Sequence, residues 1–297
     1  TMFGKMAKAA SRDVRVGGNI GIPALDLLQE NEPDLYVLEL SSFQLETTAS
    51  LKPAAAVVLN VSQDHLDRYR DMQDYAVTKK RIYDGAAIKL ANLDDALVAS
   101  WCGEDKSWIR FSLQQPQRDN DFGVTQQDGQ SWLAKGEQLL LPVSELRVAG
   151  KHNVANALAA LALGESVGLA MAAMLEALRS FAGLPHRCQW LAEKDAVSWY
   201  NDSKATNLEA ASKAIGAFND VYWIAGGQGK DEDFGRLKPL FPKIRRAYLS
   251  GEAAGEIAAA LAGEVDCVEA ETMERAIALA AKEAKVSKAE RPVVLLS

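Results

Sequence analysis

DLYVLELSSFQLETTASLKPAAAVVLNV, residues 34–61, decides the fold class. It holds two apolar runs, 35–40 (LYVLEL) and 54–61 (AAAVVLNV), with a helical pattern between them and another after them at 71–83. Near-continuous apolar strands alternating with helices are strands buried on both faces, the signature of a parallel α/β sheet. A third run at 86–90 extends the pattern. Such sheets bind ligands at the edge where the strands end and their loops leave.

Working outward, residues 107–148 turn polar, with short alternating runs (SWIRFSL, SWLAKGE, QLLLPV) that predict a small antiparallel insert. Ala/Leu-rich helices are predicted over 152–167 and 172–181. AGLPHR (182–187) then places Gly and Pro before a new strand pattern. The chain therefore divides into residues 1–183 and 184–297. The second half predicts strands at 197–200, 221–225, 247–250, 266–268 and 292–296, with helices at 208–218 and 273–284, a Rossmann-like arrangement. TMFGKMAKAA (1–10) reads as a helix without a capping residue or preceding strand, and PVVLLS (292–297) as a buried strand without a following helix. The expectation is a longer functional enzyme.

A length of 297 residues suits two domains, and 48% hydrophobic content supplies a core to each. No run reaches the roughly eighteen unbroken apolar residues of a membrane span. A net charge of -7 argues against a nucleic-acid surface but leaves small anionic substrates open, because a local basic cluster can hold those. Cys102, Cys188 and Cys267 lack C-x-x-C spacing and read as reduced thiols of a cytoplasmic protein.

Several polar residues fall where strands end. Glu39 closes an apolar strand, where a carboxylate is costly unless it is paired or bound to a cation. Alone, a solvated strand end is its commoner meaning. His65 follows the next strand in NVSQDHLDRY and should leave the same sheet edge; alone it would be a loop histidine with one local hydrogen bond. Together the two supply metal-compatible groups to one crevice. Lys79 and Lys80 lie on the 71–83 helix, and nothing in the pattern separates either from a solvated basic face. His152, Asn153 and Asn156 open a helix, where N–H groups and polar side chains suit a ligand or a simple cap. NDSKATN (201–207) is a strand-to-helix turn offering Asp202, Ser203, Lys204, Thr206 and Asn207, either an anion site or a helix cap by Thr206 or Asn207. GGQGK (226–230) adds close backbone approach and Lys230 without matching a phosphate loop.

GGNIG, LELSSFQLE, LNVSQDHLDRY, KHNVANALAA, GLPHR, NDSKATN and AGG-x-x-K, in this order over essentially the whole chain, resemble the Mur ligase family, above all its D-glutamate-adding members. NDSKATN is the most discriminating segment. The resemblance implies a central parallel-sheet, P-loop-type ATPase domain followed by a Rossmann-like amino-acid-binding domain. It implies a monomeric ligase using ATP and two Mg2+ ions to join D-glutamate to UDP-N-acetylmuramoyl-L-alanine through an acyl phosphate. Matched residue by residue, it makes Glu39 a ligand of the magnesium between the nucleotide phosphates and His65 a ligand of a second magnesium. Lys79 matches a carbamylated lysine, an anion made from a cation. Asn19, Ser41 and Gln44 match contacts to the UDP-sugar. Asn156, Arg187 and Asp202 match contacts to adenine, phosphate and ribose. Lys204 falls near the γ-phosphate and acyl phosphate, and Thr206 and Lys230 at the D-glutamate carboxylate.

The resemblance leads to the expectation of three family features outside these 297 residues: a G-x-x-G-K-[ST] phosphate loop before Thr1, a uracil-binding N-terminal domain, and a tail after Ser297. Other readings are a Mur or folylpolyglutamate-type ligase for another amino acid, and a nucleotide-binding module without catalysis. A plain NAD-binding protein is disfavoured because no G-x-G-x-x-G follows the first strand of either half. Residues 1–297 alone are expected to bind ATP weakly and not to ligate. Full turnover by that polypeptide in an ADP-release assay would refute the expectation.

Overall fold

The computed structural model describes residues 1–28, 31–62, 68–205, 207–228 and 233–297. These form two compact units, Thr1–Leu146 with His152–Phe181 and Arg147–Lys151 with Ala182–Ser297.

In the first unit, α1 (Met2–Ala9) leads into β1 (Val14–Gly18), which pairs in parallel with β2 (Leu35–Glu39). After α2 (Ser42–Thr47) come β3 (Ala55–Val58), α3 (Met72–Lys80), β4 (Ile88–Asn92), α4 (Ala96–Cys102) and β5 (Ile109–Phe111). The strands β6 (Phe122–Gln127), β7 (Gln130–Lys135) and β8 (Gln138–Pro142) complete a six-stranded sheet in sequence order from β3 to β8. Pairing is parallel from β3 to β6 and antiparallel from β6 to β8. The run SWIRFSL therefore supplies β5, a further parallel strand, and the antiparallel part grows from the same sheet's edge.

Capping explains where the helices start. Asp71 accepts from the Asp74 N–H at 2.8 Å to open α3, and Asp95 accepts from Leu97 and Val98 at 3.1 and 2.9 Å to open α4. The buried Tyr83 hydroxyl donates to the Leu90 carbonyl at 2.7 Å and accepts from the Val58 N–H at 2.8 Å, stitching β3 to β4. Burial raises its pKa well above the ordinary phenol value. α5 (Lys151–Ser166) and α6 (Met171–Ser180) finish the unit. Runs of alanine let α5 be buried over most of its circumference, and a Cβ at Gly164 would collide with the Met174 sulfur of α6. Leu158 and Leu161 of α5 share one core with Met6, Leu90, Phe111, Phe122, Leu133, Leu141 and Met174.

The second unit holds β9 (Gln189–Lys194), β10 (Val197–Asn201), α7 (Leu208–Gly216), β11 (Val221–Gly226), β12 (Ile244–Ser250), α8 (Ala254–Leu261), β13 (Cys267–Glu269), α9 (Met273–Lys285) and β14 (Val293–Leu296). Its sheet runs β13-β12-β11-β14-β10-β9, parallel except for β9. Alternation along β11 sorts the two faces. Val221, Trp223 and Ala225 join the core under α7 and α8, while Tyr222 and Ile224 join the core with Ala276, Ala280 and Ala284 of α9. This is the doubly wound arrangement expected from the sequence. Among the described residues no helix is long and apolar enough to cross a membrane.

Beneath the β5–β6 junction lies an ion pair, Arg110 Nη2 to Asp121 Oδ2 at 2.6 Å, with side chains 12% and 5% exposed. Removing one partner strands a buried charge. Asp121→Ala is expected to cost about 3–5 kcal/mol in urea unfolding; a loss under about 1 kcal/mol would place the pair in the class of dispensable surface bridges.

Candidate active site

In the first unit Asn19, Glu39, Ser41 and Gln44 follow the ends of β1 and β2. Gly18 has φ of +111°, and a Cβ there would collide with the Glu39 carbonyl oxygen; one at Gly17 would collide with that of Ile22. The glycines thus let the chain turn tightly across the end of β2. Asn19 then donates its N–H to the Glu39 carbonyl at 2.7 Å and its side-chain amide to Glu39 Oε1 at 3.3 Å. Both side chains are exposed.

Two residues on, Ser41 caps α2. Its hydroxyl accepts from the Gln44 N–H at 3.2 Å, and Gln44 Oε1 accepts from the Ser41 N–H at 2.8 Å, a reciprocal capping box. Because Oε1 is committed to this cap, Nε2 is the end of Gln44 that can meet a ligand. The exit of β3 is pinned by Asn92, which donates to the Leu59 carbonyl at 2.8 Å, and by Asp95, which accepts from the Val61 N–H at 2.8 Å. His65 beyond it lies outside the described residues.

The structure separates the two lysines of α3. Lys79 is half-buried with its ammonium 5.2 Å from the centre of the Tyr75 ring, while Lys80 is exposed and lies 5.9 Å from the Trp101 ring. α3 packs against α2. A network that the sequence reading missed joins them: Glu46 accepts from Arg68 Nη2 and the Tyr69 hydroxyl, both at 2.6 Å, and the Glu46 and Thr48 carbonyls accept from Arg81 at 3.0 and 3.2 Å. Arg68 and Tyr69 belong to the LNVSQDHLDRY segment, so a charge count along that motif and LELSSFQLE was the available signal. On α5, Asn156 donates to Asn153 Oδ1 at 3.5 Å.

The second unit brings Arg187, Asp202 and Lys204 to two interlocked turns. Asp202, 8% exposed, accepts from the Cys188 N–H at 2.7 Å through Oδ1 and from the Ser297 hydroxyl at 3.4 Å through Oδ2. The Lys204 N–H donates to the His186 carbonyl at 3.0 Å, and the Asn201 amide nitrogen lies 3.0 Å from His186 Nδ1. Arg187 and Lys204 are exposed. Asn207 caps α7 by accepting from the Ala210 N–H at 2.9 Å, so the cap and the cluster of ionic groups share the turn. Gly226, at the end of β11, has φ of +153°, and a Cβ there would collide with the Ser250 carbonyl. Thr206 and Lys230 lie outside the described residues. Among the described residues no three His, Cys, Asp or Glu side chains are grouped to hold a metal.

Residues 3–164 match the Mur ligase middle domain and residues 186–297 the Mur ligase, glutamate ligase domain. The UDP-N-acetylmuramoylalanine–D-glutamate ligase of Nitrosococcus oceani is 49% identical over 276 residues, covering 92% of this chain and 61% of that protein. The ligase of the same name from Pseudomonas aeruginosa is 48% identical over 303 residues, covering 100% of this chain and 66% of its own length. The chain thus spans less than two thirds of these relatives. MurF from Acinetobacter baumannii superposes with a TM-score of 0.66 at 17% identity over 100% of this chain and 70% of its own. UDP-N-acetylmuramate-alanine ligase MurC from Thermotoga maritima superposes with a TM-score of 0.60 at 19% identity, covering 99% and 67%. These structural likenesses establish the fold.

The second unit's turns can be tested without ligand. Burial, and then the Asp202 charge, push the Cys188 thiol up to about 12 from 9.0. The raised value leaves the thiolate scarce until the pH approaches it, so at about pH 8 the thiolate fraction is roughly 1000-fold below that of an unperturbed thiol. Cys188 is expected to resist alkylation in the folded protein and to react on denaturation, as read by peptide mass spectrometry; rapid labelling of the folded protein would show that the Asp202 pocket is open.

Proposed function

The chain belongs to the Mur ligase family, and we propose that it works in the ATP-dependent addition of D-glutamate to UDP-N-acetylmuramoyl-L-alanine. The observation that carries this reading is the near-half identity, running through both units, to ligases named for that reaction.

In the reaction the substrate carboxylate takes the γ-phosphoryl group of ATP, releasing ADP, and the amine of glutamate then displaces phosphate from the acyl phosphate. Both steps gather negative charge, so the protein's task is positioning and neutralisation. Glu39 is an exposed carboxylate at the ends of β1 and β2, hydrogen-bonded by the Asn19 amide, and a hard oxygen donor that fits a magnesium ion. His65 and a carbamylated Lys79 would serve a second one. Magnesium, when bound, neutralises phosphate charge. Asn19, held by Glu39, and Ser41 and Gln44, locked in their capping box, would present fixed hydrogen-bonding groups to the UDP-sugar.

In the second unit, Asp202 would accept from the ribose hydroxyls. Arg187 would pair with phosphate, and Asn156 of α5 would contact adenine. Lys204 would meet the charge that develops at the transferred phosphoryl group. Its backbone is anchored to His186 while its ammonium is solvent-exposed, which suits a group that acts on a ligand. Thr206 and Lys230 would hold the D-glutamate carboxylate.

Enzyme made from the complete gene is expected to release ADP only when ATP, UDP-N-acetylmuramoyl-L-alanine and D-glutamate are all present, with a product heavier by one glutamyl residue. Lys204→Ala is expected to lower kcat by about 10²–10³, the scale of losing one charge-stabilising group. Turnover with L-lysine or diaminopimelate in place of D-glutamate would overturn the substrate assignment.

A further inference from the structure

α2 presents Ser41 and Gln44 at one end and Glu46 at the other, yet the ligase reading gives Glu46 no role. Six residues are less than two turns, too few for a helix to hold itself in place. Its first turn is fixed by the capping box. Its last turn is fixed by the groups converging on Glu46. Arg68 lies alongside the carboxylate with Nη2 2.6 Å from Oε2 and Nε 3.3 Å from Oε1, and the Tyr69 hydroxyl donates to Oε1 at 2.6 Å. The Arg81 guanidinium closes the end of the helix on the Glu46 and Thr48 carbonyls.

These contacts continue to Lys79. The Tyr69 ring stacks on Phe43 of α2 at 6.3 Å and tilts against Tyr75 of α3 at 5.1 Å, and the Lys79 ammonium lies 5.2 Å from the Tyr75 ring centre. Arg81, only two residues beyond Lys79, is held by the same helix end. An unbroken set of contacts therefore runs from Glu46 through Tyr69 and Tyr75 to Lys79, with a second tie through Arg81. We propose that Glu46 is a positioning residue for ligation, fixing Lys79 of α3 relative to the Ser41–Gln44 end of α2. This inference rests on the ligase reading above.

The network assigns each variant a distinct result. Glu46→Ala frees Arg68 and the Tyr69 hydroxyl together, and kcat is expected to fall about ten- to a hundredfold, as for other groups that orient a reacting residue, with each substrate KM within about threefold. Glu46→Gln keeps the length and an acceptor oxygen for Tyr69, and is expected to restore kcat to within about threefold of the parent. Tyr69→Phe keeps the ring stack and loses only the hydroxyl. A smaller fall is expected, and little further loss when it is combined with Glu46→Ala, because the two changes break one contact.

The assay is steady-state kinetics on enzyme made from the complete gene, with melting curves for each variant. A parent that does not ligate strikes the functional reading and not the network. With an active parent, the positioning role is overturned by a kcat within twofold for Tyr69→Phe and Glu46→Ala. A raised KM at unchanged kcat, or full additivity of the double variant, overturns it equally. Should Glu46→Ala fail to fold, Tyr69→Phe and Glu46→Gln decide between the same outcomes.

Discussion

A side chain at residue 18 would occupy the space of the Glu39 carbonyl oxygen, and much of the first unit's site follows from that exclusion. Parallel strands β1 and β2 end in register, Gly18 opposite Glu39. Only glycine can stand there at positive φ with a neighbouring carbonyl against it. The chain then turns across the end of β2 and sets the Asn19 N–H on that same carbonyl. Glu39, whose backbone oxygen is thus satisfied, keeps its carboxylate exposed, with the Asn19 amide on Oε1. Two residues later Ser41 begins a helix. Anionic, amide and hydroxyl groups come to one edge because a single close approach leaves the backbone no other route.

The second unit repeats the device with different residues. Gly226 ends β11 where a Cβ would strike the Ser250 carbonyl of β12, and the Gly227 N–H donates to that carbonyl at 3.1 Å. In both units a glycine at the C-terminal end of a parallel strand brings the next loop close over its neighbour, and ionisable residues follow. In a parallel sheet this edge is where loops diverge, so the exclusion of a Cβ in the strand translates into a concave polar rim.

Continuous apolar runs made β2, β3, β11 and β14 legible, although only β11 and β14 are buried on both faces, while β2 is half-buried up to its exposed end at Glu39 and β3 is buried on alternate residues. β1 had no such run. Its sequence VRVGG carries Arg15, whose guanidinium is satisfied by the Leu27 and Asn31 carbonyls, and two glycines placed for close approach. β9, an antiparallel edge strand, has four exposed residues in six and lacks the apolar signal altogether. SWIRFSL was read as part of an antiparallel insert because three-residue strands show no period; only the partner strand decides direction. The capping box at Ser41 and Gln44 was readable as S-x-x-Q, and the polar contents of NDSKATN as a helix start. Periodicity did not separate Lys79 from Lys80; the family resemblance matched Lys79, and burial distinguishes them only in the structure, where Lys79 is half-buried and Lys80 exposed. The Glu46 network, which joins residues more than twenty positions apart, was not readable.

The turn that carries Arg187 shows how such a site can hold an uncomfortable conformation. His186 and Cys188, which flank it, have φ of +62° and +42°, in the left-handed region that disfavours side chains. Each costs roughly 1–3 kcal/mol and persists only if its surroundings over-determine it. Here they do. The His186 carbonyl accepts from the Lys204 N–H, its ring meets Asn201, and the Cys188 N–H is held by the buried Asp202 carboxylate. Hydrogen bonds contribute about 0.5–1.5 kcal/mol each, and more to a charged acceptor, so three of them match the strain. Arg187 between the two residues is tied through its backbone, its N–H donating to the Leu184 carbonyl at 3.1 Å, while the residue stays exposed. Relaxing either turn would move Arg187 and Lys204 together, because the same bonds define both positions. The strain is thus localised where an anionic ligand would need two cations fixed in relation to each other, and it is offset by groups that themselves belong to the site.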